Sequence, residues 1–155
     1  NSVHYPNLLI SLCGNIENSW ANQYVYAYSG VSDTVILSHD AEVTETGTSY
    51  AKKKTITLGS YIKPNRTLRI KFNLKANANI SYAQIYRNGS AVGTERSTAS
   101  VIYLTFSEDI TGWDPSDRIE LYVKSTAGNT ASACNLRVCG TMVTTIQNEV
   151  TGTNS

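Results

Sequence analysis

The chain has 155 residues, of which only 16% are charged, and 13 Lys and Arg against 12 Asp and Glu leave a net charge of +1. That near balance argues against the concentrated basic face of a nucleic-acid binder, and the length suits one domain with a sizeable core rather than two. Ser, Thr and Asn together approach a third of the residues, and Tyr (10) far outnumbers Phe (2) and Trp (2). This composition fits a secreted or surface-exposed β-protein, with Thr and Tyr on half-wet strands and Asn, Ser and Gly in turns.

In chain order, the first residue is Asn1 and not methionine, as expected after removal of a signal peptide or of a truncated chain. NLLISLC (7–13) is apolar on both faces and precedes the polar stretch GNIENSWANQ. A terminal strand of that kind must be covered on both sides. Either it lies in the middle of its own sandwich, or it inserts into a neighbouring subunit's sheet, as in donor-strand complementation. In the second case Leu8, Leu9, Ile10 and Leu12 are the assembly residues. Trp20, Tyr24, Tyr26 and Tyr28 then alternate, followed by TVIL (34–37). The organisation expected is an N-terminal assembly segment over 1–32, a β-sandwich domain over 33–147 and a polar tail over 148–155.

From residue 50 onward, period-two alternation dominates. Lys52, Lys53 and Lys54 form the one charge run. On a strand they alternate faces, so at least one must sit at an edge or reach solvent, where lysine blocks unwanted sheet pairing. In TLRIKFNLK (67–75), Leu68, Ile70, Phe72 and Leu74 share a face. IYRNGSAV carries Asn88-Gly89 between extended segments, the strongest short hairpin signal, because a type I′ turn needs positive φ at both positions. VIYLTFS (101–107) is expected to point Ile102, Leu104 and Phe106 one way. In DPSD, Pro115 suits the second position of a type I turn, with Asp114 bonding to the following amides. RIELYVK (118–124) aligns Ile119, Leu121 and Val123, and ACNLRVC (133–139) aligns Cys134, Leu136 and Val138. One dry face per strand is the pattern of antiparallel sheets. About eight such strands predict an all-β fold, an antiparallel β-sandwich of jelly-roll type.

Little in the sequence carries chemistry. His4 and His39 are isolated, and no nucleophile elbow, Cys-x-x-Cys pair or phosphate loop occurs, so no enzyme activity and no cofactor are expected. Asp109, Asp114 and Asp117, with Glu108 adjacent, form a weak calcium candidate, since calcium favours clustered oxygens in loops; turn-forming aspartates explain each separately. Cys134 and Cys139, five apart on one strand, are expected to face opposite sides. A disulfide would therefore join Cys13 to Cys134 or Cys139, and three small buried hydrophobes are the other reading. Asn65, Asn79 and Asn88 stand in glycosylation sequons. Tyr82, Tyr86, Tyr103 and Tyr122 fall on several strands, where they either form an aromatic platform for sugar or pack between subunits. Tyr86, Tyr103 and Trp113 are the candidate glycan contacts. No apolar run reaches the roughly 18 to 20 residues that span a bilayer, so no membrane span is expected.

The run SYAKKKTITL (49–58), TLRIKFNLK, AQIYRNGSAVGTERSTAS, VIYLTFSEDITGWDPSDRIELYVKS and NLRVCG (135–140) resembles a β-sandwich domain of uncharacterised surface, filament and virion proteins, notably of thermophiles and their viruses. More remotely, it is similar to the C1q/TNF-like jelly roll. The likeness covers roughly 33 to 140, marks a fold without a site, and departs from the pattern at Cys139, where an aromatic is usual. It implies a non-enzymatic structural or adhesive role, often in an oligomer. The expectation is a secreted subunit that binds copies of itself into an extracellular filament or pilus at the cell surface, through N-terminal donor-strand insertion. A virion component (decoration protein, tail fibre or turret) and a carbohydrate-binding or adhesive module that contacts surface glycans are the alternatives.

Overall fold

The computed structural model describes residues 22–148. The chain divides into two compact units, Ser29–Thr141 and a second made of Asn1–Tyr28 with Met142–Ser155. Of the second, the described residues are the far ends of the first and last strands. The boundary expected after residue 32 falls inside a continuous strand, and the assembly segment 7–13 lies outside the described residues.

Ten strands are described: β1 (Asn22–His39), β2 (Val43–Glu45), β3 (Ala51–Thr57), β4 (Arg66–Lys75), β5 (Ser81–Arg87), β6 (Ser90–Ala91), β7 (Arg96–Thr98), β8 (Leu104–Trp113), β9 (Arg118–Lys124) and β10 (Ala131–Asn148). One antiparallel sheet runs β1–β10–β4–β8, with β2 also on β10; the other runs β3–β9–β5–β6, with β7 also on β5. The short strands share edge positions with β1 and β6, which leaves eight positions. First pairs with last and the pairing closes inward: β2 with β10, β3 with β9, β4 with β8, β5 with β6 and β7. That is a hairpin wound into a jelly roll.

The core lies between the sheets. Leu68, Ile70, Phe72 and Leu74 of β4 are buried as their alternation predicts, facing Ala83 and Ile85 of β5 and Ile119, Leu121 and Val123 of β9. The Asn88-Gly89 turn has φ of 49° and 89°, as type I′ demands.

Three details depart from the sequence reading, and a fourth, the burial of Lys54, goes beyond it. In β10 the register slips between Cys134 and Arg137, with Asn135 at φ 53°. The bulge keeps Leu136 and Val138 inside but turns Cys134 out, opposite Asn73, and Cys139 opposite Arg69. Both thiols are therefore on the outer face of the sheet, not on opposite faces. Their cross-strand partners are four residues apart, on the order of 13 Å, too far for a disulfide with each other. Lys54 is buried on the inner face beside Leu121, while Lys52 and Lys53 remain on the edge strand β3. Its ammonium donates to the His39 and Ala41 carbonyls and lies 3.0 Å from His39 Nδ1; burial lowers its pKa. The Asp114–Asp117 turn has Ser116 at φ 74°, which makes it type II instead of type I, and the Asp117 carboxylate accepts the Asp114 amide at 2.8 Å. Finally, Val101, Ile102 and Tyr103 precede β8 and are not part of the strand.

Candidate interaction surfaces

Val101, Ile102, Tyr103 and Leu104 form an apolar run that reads as core, yet Val101 is 64%, Ile102 71% and Leu104 44% exposed. The expectation that Ile102 and Leu104 are core fails for a topological reason. Leu104 and Phe106 do stand opposite Leu74 and Phe72, on the core side of β8, but β8 is the edge of its sheet and little covers its first residues. Ile102 lies beyond the strand altogether.

The run is held outward by local bonding. The Ala76 amide donates to the Ser100 carbonyl at 2.7 Å. Ser100 Oγ donates to the Ile102 carbonyl at 2.7 Å and accepts the Ile102 amide at 3.0 Å, and Thr98 Oγ1 accepts the Ser100 amide at 2.9 Å. On the other side, the Tyr103 hydroxyl donates to Glu42 and its ring lies under Lys75 Nζ, 4.7 Å from the centroid. Burial and then the Glu42 bond push the Tyr103 phenol up. These bonds at Ser100 and Tyr103 hold Val101 and Ile102 outward. A contiguous run of exposed apolar residues marks a candidate contact surface. Covering the three aliphatic side chains would contribute on the order of 5 kcal/mol before the costs of association.

Just beyond this tip the edge of β8 is guarded. Glu108 lies on the core side, accepts the Thr94 amide at 3.0 Å and pairs with Arg96 at 3.5 Å. An inward charge on an edge strand blocks further strand pairing.

The second surface is the outer face of the β3–β9–β5 sheet. Tyr50, just before β3, joins Tyr82 and Tyr86 of β5 and Tyr122 of β9, so the structure gathers three of the four sequence-predicted tyrosines and adds Tyr50. Tyr86 and Tyr122 stack at 3.7 Å with a 17° tilt, and Tyr50 lies 6.2 Å from Tyr86. Lys124 Nζ sits 4.6 Å from the Tyr50 ring and 4.9 Å from the Tyr82 ring. The Tyr50 hydroxyl donates to Glu95 at 2.6 Å; burial first, then this bond, raises the phenol, and the same bond lowers Glu95. Glu120 is buried on this face, accepts the Gly89 amide at 2.7 Å and pairs with Arg118 at 3.3 Å and Lys52 at 3.5 Å. Because Tyr86 and Tyr122 stack on each other, they present ring edges and hydroxyls outward more than open ring faces.

The remaining candidates are dispersed. Tyr103 belongs to the tip, away from the other tyrosines. Trp113 is fully buried and is not a surface glycan contact. Gly112, at φ 105°, is the extra residue of a bulge opposite Arg66 and Thr67 that turns the indole inward, and an added Cβ there would meet Arg87 at 3.2 Å. The calcium candidates do not converge: Asp109 binds Arg69 on the outer face at 2.8 Å, while Asp114 accepts the Asn65 amide at 2.8 Å and Asp117 pairs with Arg87 at 3.0 Å. Arginine takes the place a cation would need. Among the described residues no three His, Cys, Asp or Glu side chains gather as metal ligands.

Asn65, Asn79 and Asn88 all lie in exposed turns. The Asn88 side-chain amide, however, donates to Asp117 at 2.9 Å while its oxygen accepts the Arg118 amide, so a glycan there would sit on the nitrogen that tethers the hairpin. Cys139 is buried, and that burial raises its thiol; Cys134 is half-buried; both are free thiols, and Cys13 and His4 lie outside the described residues. His39 is exposed beside Lys54. Sequence reasoning missed the tip because alternation cannot tell an edge from a centre. No helix is long and apolar enough to cross a membrane among the described residues. No protein-family model matches the sequence, and no curated protein matches it.

Proposed function

We propose that this chain is a non-enzymatic structural subunit that assembles with copies of itself into an extracellular filament. The observation that carries this reading is the rigid, exposed Val101–Leu104 tip on a domain many of whose charged residues pair with one another on its faces. The doubly apolar segment 7–13, which needs cover on both sides, supports it from the sequence, as does the likeness of 33–140 to surface, filament and virion domains. A head-to-tail contact that does not close yields an open fibre.

Negative-stain microscopy of the purified chain, with and without residues 1–13, tests the reading. Fibres from the full chain and a folded, soluble monomer after truncation are expected. If the truncated chain unfolds, the segment belongs to its own sandwich and the polymer reading fails.

The tyrosine face favours a second reading, an adhesive module for surface glycans. A glycan array would then give a defined hit that is lost in Tyr86→Ala and Tyr122→Ala; an array without hits sinks it.

A further inference from the structure

We infer that the Val101–Leu104 tip, with the first residues of β8, is the acceptor for residues 7–13 of a second copy of this chain. The inference rests on the self-assembly reading and names the surface that reading leaves open.

Three features match the two partners. The first is length. Segment 7–13 is bounded by Pro6 and Gly14, both poor continuations of a strand. The acceptor is bounded by the Ser100 turn on one side and by Glu108, paired with Arg96, on the other. Seven residues, 7–13, run the length of 101–107, in which Leu104–Ser107 are strand edge, while before them the Ile102 amide and carbonyl are already bonded to Ser100 Oγ and that part of the run contributes side chains. The second is face chemistry. Extended, the segment places Leu8, Ile10 and Leu12 on one side and Leu9, Ser11 and Cys13 on the other. Beside β8 the first row continues the layer of Leu104 and Phe106, and the second lies along Thr105 and Ser107. The third is the strand edge: among the described residues β8 pairs with β4 alone, so before the Ser107 carbonyl, which accepts Arg96 Nη2 at 3.5 Å, its other side offers main-chain groups to an added strand. The edges of the second sheet are less suited, since β3 carries three lysines and a bulge while β6 and β7 are only two and three residues long.

Two full-length variants test this by complementation, Ile102→Lys as the acceptor-defective chain and Ile10→Lys as the donor-defective one. Each alone should stay monomeric in sedimentation velocity, with self-association weakened roughly a hundredfold. An equimolar mixture should form a discrete heterodimer and stop there, because one intact donor and one intact acceptor remain per pair. At a dilution where the parent is monomeric, circular dichroism and thermal midpoints of both variants should equal those of the parent. If Ile102→Lys assembles like the parent while Ile10→Lys does not, assembly through 7–13 survives but the acceptor lies elsewhere. If both variants are monomeric and the mixture gives no heterodimer, the pairing of these two surfaces is overturned. A midpoint for Ile10→Lys below that of the monomeric parent places its segment inside its own subunit and overturns the inference too. A parent chain that stays monomeric at every concentration overturns the assembly reading itself.

Discussion

The two ends of β8 are opposite in character although they are ten residues of one edge strand. Its start exposes Leu104, after a hydrogen-bonded loop that exposes Val101 and Ile102, while its end buries Ile110 and the whole of Trp113. Both ends are apolar in sequence. The difference is made by what crosses over them: at the far end the Gly112 bulge bends the strand inward over the core, and the Asp114–Asp117 turn locks that bend. At the near end Arg96 of β7 lies over Phe106 and reaches the Ser107 carbonyl, but Leu104 before them stays exposed. An apolar residue on an edge strand is thus core or contact surface according to the backbone beside it.

The contrast breaks most severely at the buried end. Trp113→Ala should cost about 3–5 kcal/mol of unfolding free energy in urea titrations, the range for a large aromatic cavity. Trp113→Phe should cost distinctly less, because the buried indole nitrogen has no hydrogen-bond partner to lose. A cost at Trp113→Phe equal to that of alanine would mean that the indole N–H matters, against this packing account. Next comes the support of the exposed end. Asn129, from the β9–β10 loop, accepts the amides of Asn77, Ala78 and Asn79 at 2.9–3.0 Å and donates to Ser81 and Ser125. The turn it shapes follows Ala76, whose amide holds Ser100 at the base of the tip. Asn129→Ala should cost about 2–4 kcal/mol by stranding these groups. It should also speed amide exchange in 98–102, whereas unchanged exchange there would uncouple the two loops.

Much of the fold is legible in the sequence. The β4 alternation is clear because β10 and β8 flank it and a full core lies on one side, so periodicity and burial coincide. Asn88-Gly89 is clear because turn chemistry is local. The β10 bulge at Asn135 is not, since one inserted residue leaves the period intact on either side and only shifts its phase. Lys54 is illegible because its acceptors are backbone carbonyls 13 and 15 residues away. Asn129 is hidden likewise by partners some 50 residues distant. The tyrosine face is half legible: three of its rings stand out in the sequence, but their mutual stacking depends on the β5–β9 register. For the tip, the pattern itself misleads, because a covered strand and an uncovered one share the same alternation.

A smaller effect separates the charged turn at the buried end from the uncharged tip. Burial of the Asp117 carboxyl opposes its ionisation, but the Asp114 amide, Asn88 and Arg87 outweigh that and hold it below its ordinary value of 3.8. Asp109, bonded to Arg69, and Glu45, bonded to the Gly47 amide, are lowered as well. A depressed folded pKa contributes stability that is complete above the ordinary value and fades as the pH falls through the folded one. The thermal midpoint should therefore be level near neutrality and fall below about pH 4. Asp117→Ala should cost about 1–3 kcal/mol at pH 7 and show a shallower acid decline than the parent. Parallel acid limbs for the two chains would remove Asp117 from the explanation.

The smallest effect is expected at the tip itself. Ile102 makes few contacts with its own chain, so Ile102→Ser should change the unfolding free energy by less than about 0.5 kcal/mol, and the same holds for Val101→Ser. The result is informative because the two classes of measurement should diverge. At Trp113 stability falls with assembly following as a consequence, whereas at Ile102 assembly should fall with stability untouched. Urea titration of the monomer beside sedimentation of the concentrated chain reads both at once. A loss of more than about 1 kcal/mol at Ile102 would mean that the side chain is covered within its own subunit, against its 71% exposure. The near end of β8 would then be core like the far end, and the distinction between them would collapse.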